Sequence, residues 1–245
     1  MPARNQISNE ILSMGVELEC ATTPKRVRLT RRFFQRYGMA DHLEEKRDGS
    51  VYVRSPVPHS IPNAEITFWG PKKIDIKHFF EKMDLGGKTK TNNTCGTHMH
   101  FRFPDMGKAL AIFTSHQAWR EFRAAYVDFA RGRPKYLERL NNRFSKFPEN
   151  RPPINMQDHY DRYYGINVMS MFEHQRTLEI RIMPGFDDVD EAMEAVNFEV
   201  KAISKIYKKY ANVTFLRNEN GDGAFHPVLS GRRRYTRNNN VYNRV

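Results

Sequence analysis

Residues 176–184 read RTLEIRIMP. Side chains alternate between the two faces of a β-strand. Leu178, Ile180 and Ile182 therefore point into a core, while Glu179 and Arg181 point together to the other side. A carboxylate and a guanidinium at this spacing can form an ordinary ion pair on a solvated sheet face. They can also face a metal-bound phosphate, the carboxylate holding the cation and the guanidinium the phosphoryl oxygens. Three more stretches repeat the pattern of an apolar face backed by candidate ligands. SMGVELEC (13–20) sets Val16 and Leu18 against Glu17 and Glu19, and NAEITFWG (63–70) sets Ala64, Ile66 and Phe68 against Glu65 and Thr67. CGTHMHFRF (95–103) sets Met99 and Phe101 against His98 and His100.

Taken singly, each stretch has a plain reading: a solvated acidic face for ExE, hydrogen-bonded core histidines for HxH. Together they are harder to dismiss, because several carboxylates on one sheet face repel one another unless cations lie among them. Carboxylates with one imidazole suit Mg²⁺ or Mn²⁺, ions that bind through a nucleotide's phosphates. Arginines supply bidentate contacts to the same phosphates. Neighbours at i and i+2 on one face are about 7 Å apart, so Glu17 and Glu19 can serve different ions.

The elements that must position these groups are legible in part. TPKRVRLTRRFFQRYG (23–38) reads as a basic helix with Thr23 as cap, Pro24 in its first turn and Gly38 at its end. RDGSVYV (47–53) reads as a turn feeding a short strand, and IDIKHFFEKMDLGG (74–87) as a helix closed by glycine. Residues 105–130 predict one long helix, with Trp119, Phe122, Tyr126 and Phe129 on one side. A proline-rich stretch follows, with a short helix near 134–142. RYYGINVMSM (162–171) and TLEIRIM (177–183) predict two strands of a hairpin joined by FEHQR. Asp187 and Asp188 open a final helix to about residue 210. Interleaved elements with tight turns and a hairpin give an α+β class: one mainly antiparallel, curved sheet backed by helices. The expected division is a single domain over 1–222 and a basic tail over 223–245, low in apolar residues and expected to be disordered.

The chain has 245 residues and a formal net charge of +12. Residues 21–40 hold six Lys or Arg and residues 223–245 hold five Arg, with no acid in either. These segments supply eleven of the twelve net charges, so the rest of the chain is close to neutral, and an anionic partner or nucleic acid would meet the chain there. No helix-turn-helix, RNP or zinc-finger signature accompanies them. No apolar run approaches the roughly 20 residues of a membrane span. The N-terminus lacks a signal-peptide core. Two cysteines, Cys20 and Cys95, fit a reducing cytoplasm.

GVELE (15–19), NNTCGTHMHF (92–101) and RTLEIR (176–181) resemble, in the same order, the metal and nucleotide motifs of the glutamine-synthetase-like carboxylate–amine ligases, and most nearly the small amidoligase family within that group. RDGS (47–50), NAEIT (63–67) and RYYGINVMS (162–170) fall where that family has similar segments. The resemblance spans about residues 13–190. It implies ATP-dependent joining of a carboxylate to an amine, on small molecules or a peptide, through an acyl phosphate. It further implies Mg²⁺ or Mn²⁺ held by Glu17, Glu19, Glu65, His98 and Glu179. His100 and Asn93 would lie near ATP, and Arg181, with Arg176 and Arg162, would neutralise the transferring phosphoryl group. Asp48 and Asn167 would position substrate. The segment after Glu65, ITFWGP, is longer than the family's Ser-Pro ending. Two alternatives stand beside this reading: a phosphotransferase of the same superfamily, and a basic nucleic-acid-associated protein with a structural metal site.

Overall fold

The structure, a computed structural model, describes residues 10–150, 162–172 and 176–212, with the backbone of two further strands, Thr214–Arg217 and Phe225–Val228. Six strands form one antiparallel sheet. They are β1 (Ser13–Thr22), β2 (Leu43–Arg47), β3 (Ile61–Gly70), β4 (Gly96–Arg102), β5 (Ile166–Asn167) and β6 (Leu178–Pro184), in the spatial order β2-β3-β1-β4-β6-β5. Helices α1 (Pro24–Gln35), α2 (Lys73–Met83), α3 (Met106–Phe113), α4 (His116–Phe129), α5 (Pro134–Arg139) and α6 (Val189–Tyr210) complete the fold. The class is α+β, as the sequence predicts. Strands β7 (Thr214–Arg217) and β8 (Phe225–Val228) pair with each other. Of the basic tail, 223–245, only the β8 backbone lies among the described residues.

Strict period-2 alternation produces the central strands. Val16, Leu18 and Cys20 of β1, Ile66 and Phe68 of β3, Met99 and Phe101 of β4, and Leu178, Ile180 and Ile182 of β6 are all buried in one continuous core. The rings of Phe34 (α1) and Phe79 (α2) sit 4.1 and 5.2 Å from that of Phe68, so these helices cover the apolar face. Farther along, Phe198 of α6 stacks on Phe129 of α4 at 4.3 Å. Tyr126 of α4 donates its hydroxyl towards the carbonyls of Ile182 (3.0 Å) and Tyr136 (2.8 Å), tying this layer to β6 and α5. No helix among the described residues is long and apolar enough to cross a membrane.

Four elements differ from the sequence reading, each for a local reason. The helix expected over 105–130 is two helices, α3 and α4. The Thr114 hydroxyl turns back to the Leu110 carbonyl (2.8 Å), and Ser115 Oγ accepts from Ala118 N (3.2 Å), so it caps a new start. The strand expected over 162–171 shrinks to Ile166–Asn167. Asn167 Oδ1 accepts from Met169 N (2.9 Å) and drives a 3-10 turn over Met169–Met171; the β5–β6 pairing itself is antiparallel, while 173–175 lie outside the described residues. The strand beside the RDGS turn precedes it, as β2, instead of following it over 51–53. LEEKR has no alternation to betray it, which is how charged edge strands read. Helix α2 ends at Met83, on Asp84 in the left-handed region (φ 60°), before the glycines expected to close it.

Helix α6 begins as expected, with Asp188 accepting from Glu191 N at 2.8 Å. Its buried face holds one residue the apolar spacing does not predict. Glu199 is fully buried, and neither of its oxygens has a hydrogen-bond partner among the described residues. Burial pushes its carboxyl well above the usual range, so the folded chain disfavours the ionised form that the unfolded chain adopts freely. The resulting stability penalty grows as pH rises above the ordinary value of about 4.3. Replacing Glu199 by Leu should therefore stabilise the fold by about 1–3 kcal/mol at pH 8, and by less at pH 5. Urea unfolding of both chains at the two pH values checks this, and a loss of stability in the variant would contradict it.

Candidate metal centre

On the opposite face of the sheet the same alternation gathers the charged residues. Glu17 pairs in register with His98 on one side and Thr67 on the other, Glu19 with Glu65, and His100 with Glu179. His98 stands at the centre. Its Nδ1 lies 3.0 Å from Glu17 Oε1 and 3.4 Å from Glu179 Oε1, and its Nε2 lies 3.5 Å from Glu19 Oε1. One ligand atom each from Glu17, His98 and Glu179 fall within 4.8 Å of one another, near enough to share an ion. His100 lies deeper along β4, its Nδ1 3.0 Å from Thr177 Oγ1 and its Nε2 3.3 Å from Glu17 Oε2. The Trp69 indole closes that end. It lies 5.5 Å from the His100 ring and over Gly15, where any Cβ would collide with it.

A bulge sets the position of Arg181. Thr97 pairs with Met183, but Met99 pairs with Ile180, so Arg181 and Ile182 both stand opposite the single His98. An extra residue of this kind bends a strand and re-aims its side chains. Arg181 Nη1 bonds Glu179 Oε1 and its Nε donates to the Phe144 carbonyl at 3.3 Å. Asn167 Nδ2 donates to the other Glu179 oxygen at 2.6 Å. The i, i+2 ion pair read in RTLEIR is present, but buried and not on a solvated face: the two side chains are 6% and 10% exposed.

Electrostatics divide the carboxylates. Burial works to raise Glu17, yet bonding and charge from His100 and His98 hold it well below its ordinary range. Glu179 is also lowered, because Arg181, His100 and His98 outweigh its burial. Burial wins at Glu19, which is raised despite His98 and Arg181. Glu65 is pushed up to about 8 by burial and by the charge of Glu17. For His100, burial works to lower the imidazole, but contact with Glu17 and the Glu179 charge raise it.

Glu17, Glu19, Glu65, His98, Arg139 and Arg181 border a cavity of about 140 Å³, with Asp48, Ser50, Thr94, Phe144, Tyr163 and Arg162. That volume accepts ions and a few waters at about 30 Å³ each. It is below the roughly 300 Å³ at which small-molecule sites begin, so a nucleotide's base and sugar would lie outside it. Strand order sorts its walls. Acids Glu17, Glu19, Glu65 and Asp48 come from the β2-β3-β1 half of the sheet, whereas Arg181, Arg162 and Arg139 come from β6 and the segments beside it.

Arg139 is the residue that sequence patterning misses. It closes the six-residue helix α5, where a basic residue ordinarily faces water, yet it is 4% exposed. Its Nη2 donates to the Arg181 carbonyl at 3.2 Å and its Nη1 to that of Cys95 at 3.4 Å. Among the expected site residues, Glu17, Glu19, Glu65, His98, His100, Glu179 and Arg181 come together, and Arg162 and Asp48 border the same cavity. Arg176 and Asn93 do not join them. Arg176 is exposed, with φ of 50°, and turns the chain into β6 outside the cavity. Asn93 is exposed on a second cavity of about 430 Å³, which shares only Arg139 with the first. The loop before β4 carries it past the end of the sheet.

Compared with protein-family models, curated proteins and solved structures, the chain matches none.

Gly96 is a structural requirement of this centre. Its N–H donates to Glu19 Oε2, and a Cβ there would lie 2.7 Å from His98 Nε2 and 2.8 Å from Arg139 Nη2. Gly96→Ala should therefore lower stability by about 1–3 kcal/mol. Gly49→Ala, where a Cβ meets nothing within 4 Å, should change it much less. Thermal melts of the two variants test this; equal losses would show that the Gly96 environment is looser than described.

Proposed function

We propose that the chain is an ATP-dependent carboxylate–amine ligase with a glutamine-synthetase-like catalytic fold, working with Mg²⁺ or Mn²⁺. The observation that carries this reading is the sorting of charge across one cavity, four carboxylates and His98 facing three arginines. A polyphosphate with its divalent ions needs both walls at once: oxygen donors for the cations and guanidinium groups for the phosphoryl oxygens. The donor chemistry fits. Glu17, Glu19, Glu65 and Glu179 supply the hard oxygens these ions prefer, and His98 supplies one nitrogen. When bound, the ions would neutralise and align the phosphates.

The remaining work falls to side chains. A carboxylate is a poor acyl donor until one of its oxygens becomes part of a leaving group. In the first step that oxygen attacks the γ-phosphorus of ATP, giving an acyl phosphate and ADP. In the second, the amine attacks the acyl carbon and phosphate departs, leaving an amide and one proton for solvent. Arg181, held between Glu179 and the Phe144 carbonyl, is pre-aimed to meet charge developing on the transferring group. Arg139 and Arg162 would add to that field. Asn167 fixes the Glu179 carboxylate from behind, so one strand orients both a metal-facing and a phosphate-facing group.

Titration calorimetry of ATP with Mg²⁺, on the full chain and on Glu179→Ala and Glu179→Gln, tests the site. Metal-dependent binding is expected in the parent, weakened roughly tenfold or more in both variants. Retention of full binding and turnover by a folded Glu179 variant would overturn the assignment. Products then name the reaction: a new amide with ADP and phosphate for a ligase, a phosphorylated product with ADP alone for a phosphotransferase.

A further inference from the structure

A cavity of about 610 Å³ lies on another part of the surface. Its walls are the first two turns of α1 and the loop between β2 and β3. Pro24, Leu29, Val57 and Pro58 form an apolar floor, and Lys25, Arg26, Arg28, His59 and Lys88 stand around it. Among the described residues no carboxylate lines this groove. Arg26 is committed to Asp84 (3.0 Å) and the Lys82 carbonyl (3.3 Å), where it pins α1 to α2. Lys25, Arg28 and Lys88 are exposed, and their side chains have no ion-pair partner among the described residues. Leu29 is 43% exposed, unusual for a leucine on a helix whose Val27 and Phe34 are buried.

The loop wall is preformed. Ser60 Oγ donates to the Val57 carbonyl (2.6 Å), Val57 N donates to Ser55 Oγ (3.2 Å), and His59 is held in the left-handed region at φ 59°. Two prolines, Pro56 and Pro58, flank Val57. Such a loop loses little entropy on binding. We infer that this groove docks an acidic polypeptide segment, one bulky apolar residue seating on Leu29, Val57 and Pro58 while flanking Asp or Glu side chains meet Lys25, Arg28 and Lys88. The concave apolar floor calls for a side-chain anchor, and a rim of one sign selects the opposite charge in the partner. Nucleic acid suits the groove less well. Phosphate backbones use no apolar floor, and single strands seek aromatic platforms, whereas no Phe, Tyr or Trp among the described residues lines this groove.

Fluorescence anisotropy with the full chain tests this, using three labelled probes at moderate salt: an Asp/Glu-rich peptide with a central Leu, the same peptide with Gly in its place, and a short DNA duplex. The anchored peptide should bind tightest. Leu29→Asp, and separately the pair Arg28→Glu and Lys88→Glu, should each weaken it about tenfold or more. These exposed side chains should leave the thermal melt unchanged. The probes contain no ATP or metal, and Glu179→Ala should bind the peptide as the parent does, so failure here is distinct from failure of the ligase reading. Equal binding of the Gly peptide, indifference to Leu29→Asp, preference for DNA, or no binding of the anchored peptide would each overturn the inference.

Discussion

Carboxylates buried side by side on a sheet face must be neutralised, and much of this structure follows from that requirement. Glu17 and Glu19 on β1 and Glu179 on β6 are each less than 9% exposed, around His98 of the β4 strand that lies between them. Unpaired, such groups would protonate or be driven out into water. The chain answers with Arg181 on the same strand as Glu179, Arg139 from a separate helix, and two imidazoles from β4. Even so, Glu65 stays high, because compensation runs out towards the β3 side of the cavity. That side is where an added cation would gain most.

Holding this arrangement requires a rigid backing, which the other face provides. Each ligand strand alternates a charged residue with a large apolar one, so the residue behind each site group is anchored in the core. Leu178 and Ile180 bracket Glu179, and Val16 and Leu18 bracket Glu17. A one-residue slip of any strand would exchange its two faces completely, which makes register and site geometry one constraint. The only departure within the β4–β6 ladder is the bulge opposite His98, where a regular ladder would give a different direction to Arg181.

How much of this was legible in the sequence depended on how far each feature was local. Alternation marked β1, β3, β4 and β6 and put seven of the expected site residues on one face, because period 2 is a property of the strand itself. Thr23, Pro24 and Asp188 marked helix starts for the same reason. The misses were tertiary or competitive. Thr114 and Ser115 broke a helix that had been expected to run unbroken through them, because their side chains bond the local backbone. Asn167 bent a strand by bonding its own neighbours. Arg139 looked like a surface residue, since nothing in PKYLER says that its last side chain turns inward to the carbonyls of Cys95 and Arg181. Asn93 and Arg176 lay beside real site residues in sequence, but sat in the loops that deliver the strands, where direction is not set by alternation.

Glu179 and Glu199 show why burial alone does not make a site. Both are almost fully buried carboxylates, twenty residues apart, on consecutive elements. Glu179 has Arg181, Asn167 and two imidazoles within reach, and its ionised form is favoured. Glu199 has no partner for either oxygen among the described residues, and its charged form is disfavoured. The first favours the charged form that a cation meets; the second disfavours it. Strand pairing thus supplies partners to the acids on one face of the sheet, whereas the helix-covered face holds a lone acid whose charged form its burial disfavours.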